Sequence, residues 1–147
     1  ASHASSLSCA TTPMLVPALL ATSLLYGGMV LCSCDFAAFL FMALPVNVAG
    51  PTIRRAFPHF YMFVTLSAAT AAGLVWAHDA VAAGLLAPIA VTTLPSRQLL
   101  MPAINRATDA GEKARFRWLH GQSVAIKLVH IALAGLAMTR FLTMGLT

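Results

Sequence analysis

The chain has 147 residues, of which 59% are hydrophobic and only 9% charged, with a net charge of +5 and a mean hydropathy of +0.83. A soluble domain of this length needs far more charge on its surface, so the composition excludes that class and points to an integral membrane protein. A membrane-crossing helix takes about 20 residues, which leaves room for four spans and no separate soluble domain. The expected fold is therefore all-α: one transmembrane four-helix bundle over residues 1–147.

The first residues, Ala1-Ser2-His3-Ala4-Ser5-Ser6, lack the basic start of a secretory signal, and the apolar run after them is too long for one. The chain does not open on methionine, so either an initiator or a longer targeting segment is expected to have been removed. A bacterial inner membrane and an organelle inner membrane, mitochondrial above all, both fit. A tail this polar ordinarily frays, which suggests that a neighbouring subunit holds it.

Span one is expected over residues 14–44, ending before Pro45. Span two follows Pro58 and covers 59–77, closed by Ala77-His78-Asp79. Span three covers 80–101. Its Pro88, Pro95 and Pro102 share one face at a seven-residue repeat, and each removes a helical hydrogen bond. A kinked span running out into an interfacial helix over 99–107 follows from that pattern. The turn Thr108-Asp109-Ala110-Gly111 then leads into span four over 118–143.

Charge sets the orientation. Arg54 and Arg55 lie between spans one and two, and Arg97, Arg106, Lys113, Arg115 and Arg117 between spans three and four. Only Arg140 lies on the other side. Positive loops stay in the cytoplasm or matrix, so both termini are expected on the periplasmic, lumenal or intermembrane-space side. The basic excess is a topology signal; nucleic acid is not an expected partner.

Span four carries the most informative pattern. His120, Ser123, Lys127 and His130 interrupt an apolar run, and at about 100° per residue they fall within roughly 80° of one face. A lysine near mid-membrane costs on the order of 2.5–3.5 kcal/mol on insertion scales, so it needs a partner or water. Asp35 lies about 15 Å up span one from Pro45, and Lys127 about 13.5 Å up span four from Trp118. An Asp35–Lys127 ion pair across the bundle is the resulting expectation, with Gly27, Gly28 and Cys32 allowing close approach. His59, Tyr61, Trp118, Arg115 and Arg117 are expected at the interface, within an aromatic belt that includes Phe57, Phe60 and Phe63.

Metal and haem sites fare worse. Cys32 and Cys34 project about 160° apart on a helix and cannot chelate one ion together, and Cys9 has no partner on its side of the membrane. Small buried cysteines are the expected reading, so no metal site and no copper are assigned. A bis-histidine haem needs two histidines at one depth. His59 and His120 meet that condition, but each suits an interfacial anchor better. Bound lipids are the only expected small-molecule companions. No phosphate loop, nucleophile elbow or carboxylate pair is present, and no catalytic residue is assigned. Asp109 and Glu112 read as exposed loop charges.

Several of these segments carry a resemblance. Tyr26-Gly27-Gly28-Met29, Leu44-Pro45, Ala49-Gly50, Phe57-Pro58-His59-Phe60-Tyr61 and the stretch from Arg115 to Ser123 resemble the transmembrane protein 205-like family, in order, over roughly residues 20 to 140. The Phe116-x-x-Leu119-His120-x-x-Ser123 element is the most specific. The resemblance implies a small four-helix membrane domain, largely of unknown function, with eukaryotic members linked to drug resistance. Lys127 and His130 stand where that family often has amides, and Asp35 is unusual for it, which implies charges acquired for a specific partner.

Two functions are expected from this reading. The first is a non-catalytic accessory subunit of a larger respiratory or photosynthetic complex, docking through helix faces and lipid. The second is a small transporter, or a metal- or proton-handling protein, that uses the Asp35–Lys127–His130 stripe.

Overall fold

The computed structural model describes the backbone of residues 3–145 and the side chains of residues 14–144. The expectations for Ala1-Ser2 and for the Cys9 side chain lie outside these described residues. α1 (His3–Leu31) passes through a π-helical turn (Cys32–Phe36) into α2 (Ala37–Ala43). Leu44 is then extended, at φ −125° and ψ 148°, the conformation that a following proline imposes.

α3 (Val46–Val75) starts directly after Pro45, not at His59 as the sequence suggested. Pro51 and Pro58 lie inside it. Each removes one backbone donor, freeing the carbonyls of Asn47 and Arg54. Both sit in the arginine-rich end of the helix, where water can take up a free carbonyl that hydrocarbon could not.

α4 (Ala80–Pro95) continues through a second π-helical turn (Ser96–Leu100) into α5 (Met101–Asp109). Proline again fails to stop the chain. The hydroxyls of Thr92, Thr93 and Ser96 donate to the carbonyls of Pro88, Ile89 and Thr92 at 2.6, 2.6 and 2.9 Å, giving the turns around Pro95 extra bonds. The segment expected as an interfacial helix over 99–107 continues span three without a break, as part of the run Ala80–Asp109. Its apolar face is used up on the neighbouring helix, since Ile104 and Ala107 of α5 are buried with Leu119, flanked by Leu100, Ala103 and Phe116.

Gly111, at φ +68°, ends α5. The Glu112 amide donates to Ala107 at 2.9 Å and the Gly111 amide to Thr108 at 3.1 Å, a Schellman closure that needs the left-handed residue. α6 (Lys113–Gly145) follows.

Four helical runs are long and apolar enough to cross a membrane: Met14–Ala43, Val46–Val75, Ala80–Asp109 and Lys113–Met144. The chain is an integral membrane protein. The runs pack as a ring: α1 touches α3 and α6, and α4 touches the same two, so α3 and α6 face each other across the centre. The core is made of small and aliphatic side chains, among them Ala18, Leu25, Met29, Ala68, Ala71, Leu86, Ile89, Ala134 and Ala137. Alanine at the contacts brings the backbones close, as packing in lipid requires.

Two ion pairs fasten the ends. At one end Asp79 caps α4, accepting from the Val81 amide at 2.9 Å. It also accepts from Arg140 Nε and Nη2 at 2.8 and 3.1 Å. At the other end Arg54 donates to both carboxylate oxygens of Asp109 at 2.6 and 3.1 Å. Asp109 is exposed as expected, yet it is partnered.

A 30-residue run is about 45 Å long at 1.5 Å per residue, against a hydrocarbon core of about 30 Å. If the Asp79–Arg140 end marks one surface, the core reaches down α3 to about Ala56. The rest, with Arg54, Arg55, Arg106, Lys113, Arg115 and Arg117, stands beyond it.

Candidate functional site at the centre of the bundle

Lys127 projects from α6 across the middle of the ring towards α3. Its Nζ lies 4.3 Å from the Phe60 ring centroid, 4.7 Å from that of Tyr61 and 5.2 Å from that of Phe57. The three rings contact one another edge-on or tilted, with centroids about 6 Å apart. Spacings of three and one along α3 bring 57, 60 and 61 onto a common side. Their π faces are negative and attract the ammonium. Nζ is fully buried and has no hydrogen-bond partner.

The expected Asp35–Lys127 ion pair does not form. Asp35 is exposed on the π-helical turn, and none of the ion pairs among the described residues includes it. The depths were misjudged because α6 begins at Lys113 rather than near Trp118. Lys127 stands about 21 Å along α6 and Asp35 about 12 Å from the end of α2, a mismatch of about 9 Å. The thiol that does lie within electrostatic reach of Lys127 is Cys32.

A cavity of about 10 Å³ adjoins Lys127, lined by Met29 of α1, Tyr61 of α3, Thr93 and Ser96 of the third run, and Ser123 and His130 of α6. That is room for about one water molecule. His130 is buried and its Nε2 lies 2.7 Å from Thr92 Oγ1. The Thr92 hydroxyl already donates to the Pro88 carbonyl, so it accepts from His130, which fixes the proton on Nε2. His130 also lines a groove of about 770 Å³ on the flank, between Pro88, Pro95 and Leu99 on one wall and Leu119, Val129 and Leu133 on the other. It is the wall between centre and membrane.

The stripe of span four is therefore divided. Ser123, Lys127 and His130 converge on the cavity, while His120 is exposed and stacks on Phe116 at 5.4 Å. Tyr61, expected at the interface, is 4% exposed and belongs to the lysine cage. His59 is exposed beside the Arg55 carbonyl at 3.1 Å. Trp118, Arg115 and Arg117 are exposed, and Arg115 reaches Glu112 at 3.2 Å. Cys34 is exposed and Cys32 half-buried. Among the described residues no three His, Cys, Asp or Glu side chains come together. The sequence reading missed Thr92 as the partner of His130 and the Asp79–Arg140 pair. The signals were a Thr-Thr pair in an apolar run and an acid placed just ahead of a helix.

Fold and site together define a four-helix integral membrane protein with a caged lysine at its centre. A family model described as a domain of unknown function (DUF4149) matches residues 20–113, and the chain belongs to that family. The matched range covers most of the first run and all of the next two and stops at the start of α6, so Lys127 and His130 lie outside it. No curated protein and no solved structure matches the chain.

Proposed function

We propose that this chain is a non-catalytic accessory subunit of a larger membrane complex, held by its outward helix faces and by bound lipid. The observation that carries the reading is where open space lies. The centre has room for about one water, about 10 Å³, whereas the flank offers a groove of about 770 Å³ with mostly apolar walls. A closed axis beside an open flank suits holding a companion alongside better than passing a solute through. We place the host among energy-transducing respiratory or photosynthetic complexes, in a bacterial or mitochondrial inner membrane. Small size and the lack of a redox motif support that placement, and the seven-to-one distribution of basic residues favours both termini on the non-cytoplasmic side. The motifs around Gly28, Pro58 and His120 support kinship with the transmembrane protein 205-like family.

Lys127 favours a second reading. A buried ammonium with no hydrogen-bond partner, next to a water-sized cavity and a histidine, is equipped to exchange a proton, and the alternative function is proton or ion handling in an oligomer.

Purification from native membranes in mild detergent, with mass and optical spectrum recorded together, tests the choice. Co-migration with a large complex at fixed stoichiometry is expected. A colourless monomer or small homo-oligomer would remove the subunit reading and leave proton handling.

A further inference from the structure

Four acidic residues occur in the chain, and three are gripped by arginine: Asp79 by Arg140, Asp109 by Arg54 and Glu112 by Arg115. Asp35 is the exception. It is exposed, at the π-helical turn between α1 and α2, and is the one charged side chain between Met14 and Ala43. Leu24, Leu31, Phe39 and Met42 are 61%, 60%, 63% and 89% exposed, at spacings that place them on one outward stripe with Asp35. α1 and α2 pack inward on α3 and α6, and this stripe has no cover of its own. Asp35 stands about 12 Å from the end of α2, level with Arg54 on α3, which is the edge of the hydrocarbon core.

We infer that the outward stripe of α1 and α2 around Asp35 docks a transmembrane helix of a different chain, one that carries a lysine or arginine at that depth. The inference rests on the accessory-subunit reading and names the partner's chemistry. Charge complementarity selects the occupant: a carboxylate at the hydrocarbon edge is stabilised by a cation held there, and no arginine of this chain reaches it. A second copy fits poorly, because a two-fold contact places identical patches together and would set Asp35 against Asp35. Anionic lipid headgroups would repel it for the same reason.

The test uses the full chain in its native membrane, in a Cys9→Ser, Cys32→Ser background that leaves the exposed Cys34 as the reporter beside Asp35. Maleimide labelling of Cys34 is expected to be slow in the membrane and fast once the chain is stripped of its partner. Asp35→Glu should keep both protection and complex. Asp35→Lys should weaken retention in the complex by about tenfold or more and unmask Cys34. The helix that crosslinks to Cys34 should carry a Lys or Arg within a turn, and its reversal to Glu should rescue Asp35→Lys. Full retention of Asp35→Lys with Cys34 still protected would overturn the inference while leaving the subunit reading intact. So would a crosslink at the mass of two copies, or one to lipid alone. If the unsubstituted chain joins no complex, the reading beneath it falls as well.

Discussion

Lys127 is held by opposing terms of similar size. Burying its ammonium in the hydrocarbon zone costs on the order of 2.5–3.5 kcal/mol on insertion scales. Three ring faces at 4.3 to 5.2 Å return about 0.5–2 kcal/mol each, depending on desolvation. The two terms overlap in size, so Lys127→Met, which keeps the length and removes the charge, should change unfolding stability by no more than about 3 kcal/mol. Lys127→Glu should unfold the protein, because it presses an anion against the negative faces of Phe57, Phe60 and Tyr61. Thermal unfolding in detergent decides both. Asp35→Asn combined with Lys127→Met should be additive, since the two side chains do not meet; strong coupling would restore the discarded ion pair. That Lys127 needs company was legible from its place in an apolar run. Which company was not, because a helical face predicts direction while rings on a helix diagonally across the bundle are joined to it only by folding.

At the scale of the element, Gly28 and Gly27 make a paired test. A Cβ on Gly28 would stand 2.5 Å from Phe63 Cε1, whereas one on Gly27 meets nothing within 4 Å. Gly28→Ala should therefore destabilise by about 1–2 kcal/mol as the Phe63 ring is displaced, with Phe63→Leu relieving it. Gly27→Ala should be neutral or stabilising by up to about 1 kcal/mol through helix propensity. The α4 cap gives a pH dependence. The Arg140 guanidinium, with smaller help from the Ala82 and Val81 amides, holds the Asp79 carboxyl below the usual carboxylate range. A depressed carboxylate contributes stability that is fully present above its unfolded value, about 3.9, and lost as pH falls through the lower folded value. Acidifying from pH 5 to pH 3 should lower the unfolding temperature of the unchanged protein, and Asp79→Asn should flatten that part of the profile while keeping a competent cap. An unaltered acid profile in Asp79→Asn would mean that another group sets the acid limit. Helix existence was legible from hydropathy here, but helix ends were not. Pro58 read as the boundary before span two, yet it lies inside α3, as Pro51 does; each removes only one bond, and water at the arginine-rich end makes up the loss.

For the whole molecule, the two end pairs and the ring of four runs fix which groups share the centre. The native-mass experiment and the Asp35 series bear on this scale, because both ask whether the outward surfaces are covered in the membrane. Composition and apolar run length by themselves determined the integral membrane class, the four spans and the segregation of basic residues to one end, since these depend only on transfer free energies summed along the chain. The sequence also singled out His120, Ser123, Lys127 and His130 as a shared face, since 3.6-residue periodicity is a local property. The cage around Lys127, the Thr92–His130 bond, the Asp79–Arg140 clasp and the outward aim of Asp35 were decided by tertiary structure alone. Each depends on the relative depth and rotation of separate helices, which are set by packing of small residues and by where each helix begins.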